Sequence, residues 1–352
     1  MSRPKGITHI VLLLALGLFV ITSVFLLSKN APSMPSPEEF QNIIKPNTEP
    51  EATPFPFEEL TVAYLRNREY TSQLGDLVES AENANYTSYL TSYDSDGLKI
   101  NGLLTIPKPG TGRYPAVIFV HGYIPPSQYE TTRNYSSYVD YLARNGFVVF
   151  KIDLRGHGDS EGEAGGAYYS GDYVIDTLNA YAALENTEFV DSEAIGLWGH
   201  SMAGNVTFRA FVASRNIPAL VVWAGAVYTY SDLSEFRIDD DSYHPPPTDS
   251  PRARERVRLR ETYGEFDASH EFWRQIVPTN YLDDVTGAIE LHHATDDNVV
   301  SIDYSRNLMD VLDGTAIGHE LVEYPAGGHN LSGNTFTAAM NNTVEFFVRI
   351  LQ

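Results

Sequence analysis

Six short apolar runs rich in β-branched residues, at 116–120, 147–152, 194–198, 219–224, 289–293 and 320–324, alternate with helix-like stretches. Continuous apolar strands separated by helices demand a sheet covered on both faces. The pattern therefore predicts an α/β fold with a mostly parallel central sheet. Ahead of these runs, "YTSYLTSYDSDGLKINGLLTIP" (86–107) alternates with period two and is broken at Ser95-Asp96-Gly97, which predicts an antiparallel hairpin. In parallel sheets ligands sit beyond the carboxyl ends of the strands, so the residues just after each run are where chemistry is expected.

At one such end stands "IGLWGHSMAG" (195–204), a strand that stops at Ser201 and is followed by a helix-like segment. A sharp strand-to-helix turn strains its apex residue and brings the flanking backbones close, so the positions two before and two after must be small. Gly199 and Ala203 meet that demand, with Gly204 behind. Ser201 is thus the candidate nucleophile. After the run at 116–120 comes His121-Gly122-Tyr123, a loop able to aim the Tyr123 backbone N–H at an oxyanion, with the Met202 N–H as natural second donor. After 289–293 come Asp296 and Asp297, and after 320–324 comes His329 on a glycine-rich loop. His319 lies at the wrong end of its strand. The order Ser, Asp, His is the one used by hydrolases built on this kind of sheet.

Taken together, "HGYIPP" (121–126), "DLRGHGDSEG" (153–162), "GHSMAG" (199–204), "TDDNV" (295–299) and "GGHN" (327–330) resemble the motifs of the α/β-hydrolase superfamily, from about residue 60 to the end. Within it the chain is similar to catalytic domains of the prolyl oligopeptidase family of serine peptidases. The resemblance implies an α/β-hydrolase fold and serine-type peptidase activity. It also places the acid three positions before a valine, which selects Asp296. Val300 stands where that family commonly has proline, and His293 where glycine is common. The resemblance makes 153–162 a structural loop, so His157 is expected to shape a pocket wall. Fewer than 60 residues separate the apolar run at 7–27 from the first hydrolase strands, too few for the β-propeller such peptidases usually carry. In the implied mechanism His329 takes the Ser201 proton as the hydroxyl attacks a carbonyl, Asp296 orients the imidazole, and water then resolves the acyl-enzyme. Neither a metal nor an organic cofactor is required. The expected substrates are peptides, with small esters as the alternative and a catalytically silent binding module as a third possibility.

Composition narrows the partners. Acidic side chains outnumber basic ones 46 to 24, a net charge of −22, which argues against nucleic acid. The chain has no cysteine, which removes disulfides, thiolate metal sites and a cysteine nucleophile. Residues 7–27 form an uninterrupted apolar run, long enough as a helix to cross a membrane, with Arg3 and Lys5 in front. It predicts a single-pass anchor with a cytosolic N-terminus and an extracytosolic catalytic domain; a cleaved signal peptide and a secreted product is the alternative. Seven prolines between 28 and 57 make a stiff spacer, leaving 58–352 as the folded domain. Between the fourth and fifth apolar runs, about 226–286 reads as a lid insertion. It carries "RARERVRLR" (252–260), with five arginines. On a helix these divide between opposite faces, leaving Ala253 and Val257 as a thin apolar stripe. Such a helix suits either a solvated lid balancing nearby carboxylates or one that recognises an acidic substrate.

Overall fold

The computed structural model describes residues 55–109, 112–245 and 247–352. The expected anchor at 7–27 and nearly all of the spacer at 28–57 lie outside the described residues. Among the described residues no helix is long and apolar enough to cross a membrane.

Nine strands make one sheet: β1 (Val78–Glu82), β2 (Tyr86–Ser95), β3 (Leu98–Pro107), β4 (Tyr114–Val120), β5 (Val148–Ile152), β6 (Val190–His200), β7 (Ala219–Trp223), β8 (Ala288–Ala294) and β9 (Gly318–Tyr324). Their spatial order is β1-β2-β3-β5-β4-β6-β7-β8-β9. The first three are antiparallel, β3 joins β5 antiparallel, and every pairing from β5 to β9 is parallel. All six apolar runs are strands, and the hairpin turns where expected: Asp96 and Gly97 have φ of 55° and 78°, the left-handed pair that a two-residue turn requires. The edge strand β1 was not foreseen. Its five residues are all exposed, so no apolar signal marks it.

Nine helices accompany the sheet among the described residues: α1 (Val62–Asn67), α2 (Ser136–Arg144), α3 (Asp172–Glu185), α4 (Ala203–Ser214), α5 (Asp232–Glu235), α6 (Pro251–Tyr263), α7 (Glu271–Ile276), α8 (Asp303–Leu312) and α9 (Asn334–Leu351). Side chains alternate across a strand, so β4 serves two cores at once. Ile118 and Val120 pack with Ile175, Val206 and Phe211 from α3 and α4. Val117 and Phe119 pack with Leu142, Met340 and Phe347 from α2 and α9. All of these side chains are buried, which is why the strands read as unbroken apolar runs.

The connection from β7 to β8 holds α5, α6 and α7. Pro251 opens α6 with the Ser250 hydroxyl accepting from the Ala253 N–H at 3.1 Å, and Gly264 at φ 75° closes it. The expected apolar stripe is corrected: Val257 is 55% exposed, and Leu259 is the buried residue of this helix. The half-buried Arg252 and Arg256 precede Leu259 by seven and three positions, on the face one helical repeat defines.

Candidate active site

Strand β6 delivers Ser201 to the turn before α4. Its φ of 54° is a left-handed conformation that a side-chain-bearing residue adopts only under constraint. The constraint is visible. The Ser201 N–H donates to the Trp223 carbonyl at 2.9 Å, and its carbonyl accepts from Gly204 N–H at 2.8 Å. A Cβ on Gly199 would lie 2.6 Å from the Thr207 hydroxyl, and one on Gly204 would lie 2.7 Å from the Gly225 Cα. The close approach that the turn needs therefore falls on Gly204, and Ala203 keeps its methyl. Ser201 opens onto two cavities. One, of about 420 Å³, is shared with His200, His329 and Asn330. The other, of about 350 Å³, runs under the β7–β8 insertion past Met202, Tyr168 and Tyr169. Tyr123 lines both. The backbone N–H groups of Tyr123 and Met202 have no backbone acceptor among the described residues, which leaves them available to a ligand oxygen.

The loop after β9 carries His329 beside Gly327 and Gly328, at φ 141° and 61°. Its Nδ1 donates to Oδ2 of Asp297 at 2.8 Å. Here the expectation is corrected, since Asp296 does not face the imidazole. The Asp297 N–H returns to the Ala294 carbonyl at 3.2 Å, and this turn leaves Asp296 exposed and Asp297 buried. Asp296 instead accepts the backbone N–H groups of Gly328 at 2.8 Å and Gly327 at 3.3 Å, holding the main chain of the histidine loop.

Asp297 is completely satisfied. Oδ1 accepts from the N–H groups of Val299 and Val300 at 2.8 and 3.0 Å, while Oδ2 takes both His329 Nδ1 and, at 3.2 Å, His293 Nε2. Burial alone would raise its pKa, but the hydrogen bonds from His293 and His329 outweigh that and hold the carboxyl well below the usual carboxylate range. His293 Nε2 also faces the Val300 carbonyl at 3.1 Å, and the Ser305 hydroxyl meets Nδ1 at 2.8 Å. Nε2 meets acceptors alone and so carries the hydrogen.

A second imidazole ties the two functional loops together. His200 Nε2 donates to the His329 carbonyl at 2.9 Å, and its Nδ1 accepts from the Tyr135 hydroxyl at 2.7 Å. That hydroxyl in turn accepts from the Gly122 N–H at 3.0 Å. Burial, reinforced by neighbouring His329, pushes the His200 imidazole down to about 3. Sequence reasoning missed His200, Tyr135 and His293 as site residues. Only His200 carried a signal, through its place beside Ser201.

The 153–162 segment is architectural. Arg155 pairs with buried Asp176 at 2.6 Å and with Asp172 at 3.1 Å. Asp153 accepts from the hydroxyls of Tyr129 and Thr131 at 2.7 and 2.6 Å. His157 lines the smaller cavity, and its ring lies edge-on to His121 at 4.9 Å. Among the described residues no cluster of three or more His, Cys, Asp or Glu could hold a metal ion.

Two family models match: "Serine aminopeptidase, S33" over residues 113–237 and "BAAT / Acyl-CoA thioester hydrolase C terminal" over 178–346. An uncharacterized peptidase, YuxL, of Bacillus subtilis is 25% identical over 67% of the chain and 34% of its own length. The chain thus spans about a third of the length of the relatives it matches. Among solved structures, acetyl xylan esterase 1 of Thermoanaerobacterium is similar with a TM-score of 0.55 and 19% identity, over 85% of this chain and 95% of that one. The acylaminoacyl peptidase of Pyrococcus horikoshii gives a TM-score of 0.57 and 20% identity, over 77% and 43%. These likenesses establish the fold. The fold is that of the α/β-hydrolases, and each of the two hydrolase family models matches less than half of the chain. Both peptidases and esterases stand among the proteins it is similar to.

Proposed function

We propose that the chain is a serine hydrolase in which Ser201 attacks a substrate carbonyl, His329 is the general base and Asp297 the orienting acid. The single observation that carries this is the 2.8 Å contact of His329 Nδ1 with the buried carboxyl of Asp297, His329 itself lining one cavity with Ser201. A carboxylate accepting at Nδ1 leaves the Nε2 lone pair free to take a proton. The Tyr123 and Met202 N–H groups bind the oxyanion, and water, activated by the same imidazole, releases the acyl group.

Peptides are the first substrate class, on the strength of the aminopeptidase family match and of YuxL. Small esters are the second, favoured by the compact, largely apolar cavity under the insertion, which suits a single acyl group. Labelling by a fluorophosphonate probe that Ser201→Ala abolishes, together with turnover of peptide amides and of short and long acyl esters, tests the reading. Continued labelling of a folded Ser201→Ala variant would remove Ser201 from the role.

We also propose, from the sequence of residues 7–27 alone, that the catalytic domain is held at a membrane on its extracytosolic side. Retention in membranes through a carbonate wash is the expected result. A soluble chain starting near Asn30 would instead mean a cleaved signal.

A further inference from the structure

The arginine-rich helix α6 distributes its charges unequally. Arg252 pairs with Asp172, Arg254 donates to the Asp249 carbonyl, Arg258 meets Glu255 at 3.5 Å, and Arg260 meets Glu265 at 3.4 Å. Arg256 alone has neither a carboxylate nor a carbonyl partner among the described residues. Its one polar contact is from Nη1 to the Tyr243 hydroxyl at 3.3 Å. It is half-buried, and it lines the same 350 Å³ cavity as Ser201 and Met202. Tyr243 in turn packs edge-on against Tyr123 at 5.3 Å, so the guanidinium adjoins the oxyanion loop through two aromatic rings.

A half-buried guanidinium in contact with no carboxylate, in a cavity lined mainly by aromatic and apolar side chains, favours an anion beside it, and in a chain of net charge −22 a carboxylate partner could readily have been supplied. The other charged group lining the cavity, Asp240, has Oδ1 engaged by the Ser242 N–H and hydroxyl at 2.9 and 2.6 Å. Resting on the serine-hydrolase reading, the position of the base decides which part of a substrate enters here. His329 must protonate the leaving group, so the leaving group lies in the cavity His329 lines. The acyl group then lies on the other side of Ser201, in the cavity that Arg256 lines.

From this geometry we infer that the acyl moiety of the substrate carries a distal carboxylate, as in a dicarboxylic half-ester or an acidic residue before the scissile bond, and that Arg256 receives it. The planar guanidinium binds a carboxylate by two parallel hydrogen bonds, which a neutral amide of the same length cannot reproduce.

Two measurements on the full-length chain test this. In the first, kcat/KM is compared for the 4-nitrophenyl monoester of adipic acid and for its ω-amide. The acid is expected to be preferred about 10- to 100-fold. Arg256→Gln should collapse that ratio, while Arg254→Gln, a change on the solvent face, should keep it. In the second, 4-phenylbutyrate and 4-phenylbutanamide are titrated into the Ser201→Ala variant, where no turnover is needed. The acid should bind at least about tenfold tighter, and adding Arg256→Gln should remove the difference. Equal binding of acid and amide, including no binding of either, or a preference that survives Arg256→Gln, overturns the inference. A chain that shows the carboxylate preference in binding but neither turns over esters or amides nor labels at Ser201 would keep the anion site and refute the hydrolase reading.

Discussion

Replacing Asp297 by Asn changes one atom, and the surrounding hydrogen bonds dictate where that change falls. The Val299 and Val300 N–H groups at Oδ1 require an oxygen. The new NH2 must therefore take the Oδ2 position, 2.8 Å from His329 Nδ1 and 3.2 Å from the His293 N–H. Facing a donor, His329 can only offer the Nδ1 lone pair, so its hydrogen moves to Nε2 and the base toward Ser201 is gone. A wrong-tautomer base typically costs about 10⁴-fold in kcat, or ~5.4 kcal/mol of transition-state stabilisation. The donor-to-donor approach at His293 adds a loss of folding stability of ~1–3 kcal/mol. Asp296→Asn keeps an acceptor oxygen for the Gly328 N–H on an exposed side chain, and kcat should fall less than about tenfold. Single-turnover release of 4-nitrophenol measures both variants, with circular dichroism and urea unfolding to establish that each is folded. If Asp297→Asn retains more than about a tenth of wild-type kcat while Asp296→Asn loses more than about 100-fold, the assignment drawn from this geometry is refuted.

His200 links stability to acid. Its folded-state pKa of about 3 lies below that of an unfolded imidazole near 6.5, so the unfolded chain binds the extra proton and stability falls as pH drops through that window, by ~1.4 kcal/mol per unit. His200→Gln keeps a donor for the His329 carbonyl and should flatten this part of the urea-midpoint profile; an unchanged slope would assign it to other groups. Gly204→Ala drives a Cβ to within 2.7 Å of the Gly225 backbone and should cost ~1–3 kcal/mol in urea unfolding, with the turn at Ser201 displaced and kcat reduced. Arg155→Met leaves Asp176 buried without its cation, and a loss of ~3–5 kcal/mol, read as a lowered thermal midpoint, is expected.

The sheet was legible because burial on both faces writes itself as unbroken apolar runs, and the hairpin because Asp96-Gly97 has few other uses. Strand β1 was invisible for the converse reason: it buries nothing, and its pairing is made by backbone atoms that leave no trace in side-chain identity. At the site, Ser201 and His329 stand out because sharp turns demand small neighbours. The carboxylate that meets His329 was misplaced by one residue because the sequence holds two valines in succession. A three-residue spacing fits Asp296 to Val299 and equally Asp297 to Val300, and it is the Val300 N–H, with that of Val299, that binds the buried carboxylate. No periodicity reports which of two adjacent carboxylates a turn rotates inward. The contributions of Tyr135 and His293 depend on hydroxyl and imidazole contacts between distant segments, which neither spacing nor composition encodes.

The tie from the Gly122 N–H through Tyr135 and His200 to the His329 carbonyl has a mechanical consequence. In the proposed mechanism one of the loops it joins binds the developing negative charge and the other accepts the proton, so the two halves of that reaction share a single linkage and cannot drift apart independently. A distortion entering at the oxyanion loop, whether from a bulky substrate or from heat, arrives at the base as a displacement of its own backbone. Damage to charge stabilisation and damage to proton transfer then occur together, and the site is either aligned as a unit or misaligned as a unit.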